Sequence, residues 1–553
     1  IPIWLTILHK KKKKTKEILH LLLLTYRQKE NMRLFLLYSL SAFMLLEAYG
    51  FSDETDRKAL LDFKSQVSKD TQVVLSSWNN TFPLCNWEGV TCGLKHKRVT
   101  RLDLGGLQLS GVISPSIGNL SFLISLDLFN NSFGGTIPHE VGNLFRLHFL
   151  DLSSNAIEGM IPISIFNCSR LSRLYLDTNH LRGGKLPSSL GNLTSLTEFQ
   201  LHDNSVEGEI PGDIASLNQM VVFNLAANKF SGGFPNAIYN FSSLEYLLIR
   251  NNYFSGSLRT DFGKLLPNLV ELYMGYNYFK GAIPATLANI SSLQKLLIND
   301  NNMTGSLVGG HLPSSLANLS TNLQFLDLQE NVISGSIPHG IGNLISLQVL
   351  SLGGNMLTGL LTTSIGKLLR LQALDLGYNS ISGEIPSSIG NLTRLEKLYL
   401  ANNTIEGTIT RGLNNCTSLL HIVIGFNKLS GTIPQDIMRI QSLLKLDVSG
   451  NSLTGSLPED VGQLKNLVDL WTAHNKLSGQ LPQTLGNCLS LETLLLQGNR
   501  FDGAFPDIQG LKGLAGLRCS EESSANRLAV SEARKELISV RERFFKTRRT
   551  ARR

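Results

Sequence analysis

Charge is in short supply along these 553 residues. Asp, Glu, Lys and Arg make up 17% of them, against roughly 25% in an average soluble domain. Cysteine is scarcer, six in all, which excludes a small scaffold stapled by disulfides. Seventeen prolines are too few for a collagen-like or proline-rich chain. No G-x-x-x-x-G-K-S/T loop and no H-E-x-x-H occurs, so phosphate-cradling and zinc-protease chemistry lack their residues. Asp261-Phe262-Gly263 spells a kinase metal-binding tripeptide, but neither V-A-I-K nor H-R-D accompanies it. The histidines are scattered over positions expected to be exposed. No catalytic residue, metal or cofactor is therefore expected, and the chain reads as a non-enzyme.

Apolar residues are present in quantity, 42%, with a mean hydropathy of +0.03, enough to bury a core. The net charge of +8 is uneven: residues 1–50 carry +6, residues 511–553 carry +7, and the body between them carries −5. The basic pI of 9.1 thus belongs to the two ends, and no nucleic-acid partner is expected for the body.

The sequence begins at Ile1 and runs through a lysine block, Lys10 to Lys14, before its first methionine, Met32. From there Arg33, the apolar stretch Leu34–Leu46 and the small-x-small Ala48-Tyr49-Gly50 have the layout of a secretory signal. Thirteen residues fall short of the roughly 20 that span a bilayer, so a signal peptide over 32–50 is preferred to a membrane anchor. Residues 1–31 then read as a mistranslated leader.

Internal periodicity decides the fold. Leu150-Asp151-Leu152-Ser153-Ser154-Asn155-Ala156-Ile157-Glu158-Gly159-Met160-Ile161-Pro162 recurs along the chain. Alignment on its Asn gives sixteen positions from Asn131 to Asn499, nearly all 24 or 25 apart. An earlier copy around Leu102 and Leu104 makes seventeen. This is the leucine-rich-repeat pattern L-x-x-L-x-L-x-x-N-x-L. It predicts an α/β solenoid, a superhelix of about 17 repeats with a parallel β-sheet on its concave face and an N-terminal cap. In each unit the two Leu of L-x-L point inward on a short strand and the residue between points out. The Asn amide satisfies backbone groups of adjoining coils, Gly159, Gly335 and Gly431 permit a tight turn, Ile-Pro starts a second extended piece, and Ile-Gly-Asn-Leu begins the convex return. The spacing from Asn301 to Asn331 is 30, with Val308-Gly309-Gly310-His311 intruding as if part of a repeat were lost. Past Pro506 the pattern is expected to fail, leaving a Leu-lined end open.

Ahead of the repeats, Asp56 to Lys64 is apolar at helical spacing and is followed by Trp78 and by Cys85-Asn86-Trp87-Glu88-Gly89-Val90-Thr91-Cys92. Two cysteines this close, behind a secretory signal, read as a disulfide over the edge of the first coil. Cys168, Cys416 and Cys488 share one repeat position and read as buried thiols; Cys519 stands unpaired in the tail. That tail has Val530, Ala533, Leu537, Val540 and Phe544 on one helical face. It reads either as a basic amphipathic helix for a membrane surface or as out-of-frame translation.

Because the repeat buries everything else, binding is expected at the outward strand positions of the concave face. Two clusters stand out: Tyr246, Leu248, Arg250, Tyr273, Tyr276, Lys295 and Leu297, and then Tyr399, Phe426, Trp471 and His474. Exposed aromatics beside Arg are frequent hot spots, although some of these rings could instead pack on ladder neighbours. Twelve N-x-S/T sequons, at Asn79, Asn119, Asn130, Asn167, Asn192, Asn240, Asn289, Asn302, Asn318, Asn391, Asn402 and Asn415, are candidate glycosylation sites.

Together, the cap Ala59-Leu60-Leu61-Asp62-Phe63-Lys64 with Trp78 and Cys85 to Cys92, and the unit Leu-Ser-Gly-x-Ile-Pro at Leu429–Pro434, resemble the ectodomains of plant leucine-rich-repeat receptor kinases. Gly111–Leu123 and Pro313–Leu328 are most similar to the immune subgroup that contains the bacterial elongation-factor-Tu receptor. The resemblance covers about residues 32–510. It implies perception of a peptide or protein ligand outside the cell, in the secretory pathway or at the outer face of the plasma membrane, and recruitment of a co-receptor kinase in plant defence. A secreted inhibitor of microbial wall-degrading enzymes is the alternative, disfavoured by the number of units. The family continues into a membrane helix and a kinase, neither of which is read here, so a truncated product or a mis-assembled gene model is expected. The expected layout is leader 1–31, signal 32–50, cap 51–97, repeats 98–510 and basic tail 511–553.

Overall fold

The computed structural model describes residues 53–305, 319–508 and 510–518. The leader and signal segments, the Val308–His311 intrusion, the Asn318 sequon, Cys519 and the tail helix lie outside these residues.

Helix α1, Asp53–Ser65, opens with Asp53, Glu54 and Asp56 in its first turn and closes with Lys64 in its last, charges that suit the helix dipole. Its inner face buries Ala59, Leu60 and Phe63. Phe63 packs 6.2 Å from Trp78 and 5.8 Å from Phe133, and Trp78 stacks on Trp87. Cys85 and Cys92 are joined in a disulfide, and Val90–Cys92 pairs antiparallel with Val99–Asp103, the first strand of the repeats. Cap and solenoid are locked by a buried ion pair. Arg98 donates from Nε and Nη2 to the two oxygens of Asp56 at 2.9 and 2.6 Å, and the Val99 N–H donates to the same carboxylate at 2.8 Å.

From Val99–Asp103 onward every inner strand pairs parallel with the next, in one register. Leu102, Leu126, Leu150 and Leu174 stand directly opposite one another, and the alignment continues to the far end. Among the described residues, eighteen such strands and the antiparallel cap strand Val90–Cys92 form one open sheet of nineteen. The side chains that line up are fully buried: Leu144, Leu147, Leu150 and Leu152 of one coil, their equivalents in the others. At about 1.5–3 kcal/mol for each buried Leu the spine is a large driving force, but only stacking realises it, because one coil alone leaves both sides of its leucines in water. Phe230, Phe254 and Phe279 continue the principle as a stacked column with 6.2 Å between ring centroids.

The repeat asparagines carry out their expected role. Asn155 accepts from the Phe133 N–H of the preceding coil at 2.9 Å and donates to the carbonyls of Leu128, Leu152 and Ser153 at 2.9–3.2 Å. The pattern repeats at Asn179, Asn277 and Asn475, among others.

Three expectations are corrected, and the inner sheet proves continuous across the 30-residue spacing. The second extended piece precedes Ile-Pro rather than following it: Ser132–Gly134, Lys229–Gly233 and Tyr278–Ala282 are such strands. The Pro itself is the extended N-cap of a five-residue 3-10 helix on the convex side, as Pro138 is for His139–Asn143. Some residues between the two Leu of L-x-L are buried, Asp151 and Asp447 among them, because neighbouring coils close over the strand floor. The 30-residue spacing leaves the inner sheet unbroken, with Lys295–Leu297 pairing directly to Phe325–Asp327. The sheet also runs past residue 510: Gly516–Arg518 pairs with Thr493–Leu495, and Leu511, Leu514 and Leu517 are buried.

Cys168, Cys416 and Cys488 are buried as expected, and each thiol also donates to a carbonyl of the preceding coil, at 3.6, 3.3 and 3.2 Å. Burial pushes each thiol up to about 11. Asp261-Phe262-Gly263 is structural: Phe262 is fully buried in the short helix α2, Phe262–Leu265, and Asp261 pairs with Arg259.

Replacing Asp56 by Ala leaves the Arg98 guanidinium buried without its carboxylate, a change that costs about 3–5 kcal/mol. Urea unfolding is expected to show the cap separating from the repeats at lower denaturant in Asp56→Ala, and to recover part of the loss in Asp56→Leu/Arg98→Met.

Candidate functional site

Each inner strand presents a column of outward side chains, and the residue just before the repeat Asn then stands on the rim in a left-handed conformation. That residue is Asn130, Thr178, Tyr276, Tyr378, Phe426 or His474 in different coils, with φ between 50 and 57°. Glycine fills the same slot at Gly354, Gly450 and Gly498. Left-handed backbone costs a residue with a Cβ roughly 1–2 kcal/mol, and bulky residues there are outliers that cluster at functional sites. Rim side chains also lean onto the next coil: a Cβ added to Gly450 would stand 2.7 Å from the Phe426 ring, and one added to Gly498 would stand 2.6 Å from the His474 ring. Glycine therefore makes room for the ring of the coil before it.

Five adjoining coils enclose a concave cavity of about 740 Å³. Four rings line it, Tyr378, Tyr399, Phe426 and Trp471, together with Asp375, Asp447, Asp469, His421 and Lys445. Lys445 Nζ sits 3.3 Å from the centroid of Trp471 and 3.5 Å from the Asp469 carboxylate, a cation–π contact closed by an ion pair. The Tyr399 hydroxyl and His421 Nδ1 are 2.5 Å apart. Burial, with Lys397 and Lys445 nearby, lowers the His421 imidazole below its ordinary value, against Asp469. Two of the buried polar atoms without a hydrogen bond lie in this region, Trp471 Nε1 on the cavity wall and Gln497 Oε1 on the next coil but one from Phe426's partner Gly450. Buried polar atoms are nearly always paired, so both stand out.

Of the second predicted cluster, the structure gathers Tyr399, Phe426 and Trp471 in this cavity. His474 lies on the rim beyond its lining. Sequence reasoning missed Tyr378, His421, Lys445 and the three aspartates. Tyr378 was detectable, since it precedes Asn379 as Tyr276 precedes Asn277 and Phe426 precedes Asn427. The expectation that the histidines are all exposed is corrected: His421 is half-buried, and His202 is half-buried and 2.9 Å from the Asn224 amide.

The first cluster lies on adjoining strands, Tyr246, Glu271 and Lys295 in one cross-strand row and Leu248, Tyr273 and Leu297 in the next. Its charges are largely satisfied within the ladder. Lys295 pairs with Glu271 at 3.0 Å and stands over the Phe325 ring, while burial and a hydrogen bond to Glu271 raise the Tyr273 phenol. Arg250 and Tyr276 are exposed at its edge. Seven sequon asparagines, Asn119, Asn167, Asn192, Asn240, Asn289, Asn391 and Asn415, end 3-10 helices on the convex side and are exposed. Asn130 and Asn402 occupy the rim slot, and Asn402 lines the cavity; Asn302 lies on an outer strand and Asn79 in the cap. Among the described residues, no group of three or more His, Cys, Asp or Glu is placed to hold a metal ion.

Carboxylates recur in the strand centre, and burial raises Asp127, Asp151, Asp375 and Asp447. Asp327 is pushed up from 3.8 to about 6, by burial first and by Asp300 and Asp375 as well. A carboxyl raised on folding stabilises the fold fully below its unfolded pKa and loses that contribution as pH rises through the folded value, here between about pH 4 and 6, worth about 3 kcal/mol. Asp327→Asn, which keeps an acceptor for the Gln329 N–H, is thus expected to raise the melting temperature at pH 7 and to give no gain at pH 4.

A family model described as a leucine rich repeat N-terminal domain matches residues 53–93, and one described as a leucine-rich repeat region matches 93–229. Leucine rich repeat models match 345–405 and, in shorter pieces, 243–265, 322–344 and 442–464. Among curated proteins, a probable LRR receptor-like serine/threonine-protein kinase of Arabidopsis thaliana is 75% identical over 100 residues, 18% of this chain and 10% of that protein. The LRR receptor-like serine/threonine-protein kinase EFR of Arabidopsis thaliana is 62% identical over 82 residues, 15% of this chain and 8% of its own length. The chain therefore matches about a tenth of the length of these relatives. Among solved structures, the plant peptide hormone receptor RGFR1 in complex with RGF2 superposes with a TM-score of 0.67 at 31% identity, over 79% of this chain and 75% of that one. The Arabidopsis receptor kinase HAESA, in complex with the peptide hormone IDA and the co-receptor SERK1, superposes with a TM-score of 0.54 at 28% identity, over 84% and 93%.

Proposed function

Since the chain belongs to the leucine-rich-repeat family of plant receptor-kinase ectodomains, we propose that it recognises a peptide ligand in the concave cavity bounded by Tyr378, Tyr399, Phe426 and Trp471. One observation carries the reading. Tyr378 and Phe426 hold a strained left-handed backbone and expose large rings into the cavity, in slots that Gly354 and Gly450 fill without strain. Glycine is the least strained residue in that slot, and among the residues that fill it these two present large rings to the cavity. The peptide hormones in the titles of the two superposed receptors support the ligand class.

The same reading includes the finer assignments. The ligand is of microbial origin and the output is immune, in keeping with the similarity to EFR and the subgroup it stands in. A co-receptor kinase joins the liganded ectodomain, as the co-receptor of HAESA does in its complex. The chain acts outside the cell or at the outer face of the plasma membrane after removal of the signal at 32–50, with cap 51–97 and repeats from 98 onward, and carries glycans on its convex sequons. The concave ladder from Tyr246 to Leu297, with His474, forms a second stretch of the contact surface.

Displayed against a library of bacterial protein fragments, the full chain is expected to enrich a defined peptide set. Tyr378→Gly/Phe426→Gly is expected to lose that set by tenfold or more while its melting temperature holds or rises, because two left-handed positions gain about 1 kcal/mol each. Equal enrichment by the double variant would contradict the cavity as the binding site.

A further inference from the structure

The chemistry of the cavity wall narrows the ligand further, on the premise that the cavity is the binding site. Its wall has two halves built from the same parts. On one side the chain supplies its own cation: Lys445 lies over the Trp471 ring and against Asp469. Toward the earlier coils are the Tyr378 ring and the Asp375 carboxylate, and the Phe426 ring, which leans on Gly450, stands between the two sides; both rings are more than half exposed. The lining there is completed by Gly377, Ala401 and Asn402, with no lysine or arginine among them.

Carboxylates outnumber cations around that second half. Asp375 receives hydrogen bonds from the Gly377 N–H at 3.0 Å and from Gln329 Nε2 at 2.6 Å, neither of which cancels its charge. Glu330 and Asp327, from the coils before it, add negative charge and repel it. Lys445 stands across the cavity, balanced by Asp469 and Asp447, and Lys397, on the strand that pairs with the Asp375 strand, lies outside the cavity lining. Exposed faces of Tyr and Phe attract cations through the ring quadrupole, and a carboxylate in a concave wall with low-dielectric sides adds to that attraction. An anionic side chain would meet the wrong sign on both counts.

We propose that the Tyr378–Phe426–Asp375 half of the cavity receives a basic side chain of the peptide ligand, arginine or lysine, which occupies there the place that Lys445 occupies over Trp471. The glycine at 450 belongs to the same device, because it leaves room for the Phe426 ring.

The probes are N-acetyl-arginine methylamide, its uncharged isostere N-acetyl-citrulline methylamide and N-acetyl-glutamate methylamide. Binding is read by fluorine NMR on the full chain labelled with 5-fluorotryptophan, with the Trp471 signal assigned by its absence in Trp471→Phe. The arginine probe is expected to move the Trp471 signal at about tenfold lower concentration than citrulline. Asp375→Asn, which keeps its acceptor for Gly377, and Tyr378→Leu should each remove most of that difference. Equal response to arginine and citrulline, or a stronger response to glutamate, overturns the basic-ligand inference and leaves the cavity as a binding site. No response to any probe at high millimolar concentration counts against both.

Discussion

One side-chain amide, repeated coil after coil, sets the geometry on which everything else rests. An asparagine at the exit of all but the first and last inner strands of the repeats accepts one backbone N–H and donates to carbonyls of its own coil and of the coil before it, as Asn403 does. Only a side chain with donors and an acceptor on one rigid plane can do this. Aspartate would bring an oxygen against two or three carbonyls, and leucine would leave them buried and unpaired at a cost of 1–3 kcal/mol each. The amide thereby lets the backbone turn sharply at the edge of a dry core. The leucines supply most of the driving force, and the amides decide the shape into which it collapses.

That turn places the preceding residue in the left-handed region in coil after coil, and this links the fold to the proposed function. A conformation unfavourable to most side chains is imposed by hydrogen bonds that the side chain at that position does not make. The slot can therefore carry Gly, Asn, Tyr, Phe or His without altering the coil, at a cost the stack tolerates. The rim is a position where identity is free to follow the ligand. Because the coils stack in one register, rings as far apart in sequence as Tyr378 and Trp471 converge on a single cavity, and the Lys445–Trp471–Asp469 group is assembled from adjoining strands that share no local sequence signal.

The architecture was legible in the sequence because its determinants are local and periodic. The Asn spacing, the L-x-L columns and the Cys85–Cys92 pair each follow from a few residues read in order. The site was legible only in part. Tyr399, Phe426 and Trp471 were picked out as large rings at outward positions, but the burial of His421 and the pairing of Lys445 depend on neighbours one coil away. Tyr378 belonged to the rim column that already contained Tyr276 and Phe426. The final coil escaped notice for a different reason: Leu511, Leu514 and Leu517 pack without any asparagine to announce them. The outer strands were misplaced relative to Ile-Pro because extended residues and a proline cap look alike without backbone pairing.

The ladder's control of the concave face can be measured at Asn403, whose amide bonds the Ile381 N–H and the carbonyls of Leu376, Leu400 and Ala401, the backbone behind the cavity wall. Native-state hydrogen exchange on Asn403→Ala should show amides between residues 376 and 403 exchanging about tenfold faster or more, with those of the cap and first coils unchanged. Protection equal to that of the unaltered chain across the same amides would contradict the account.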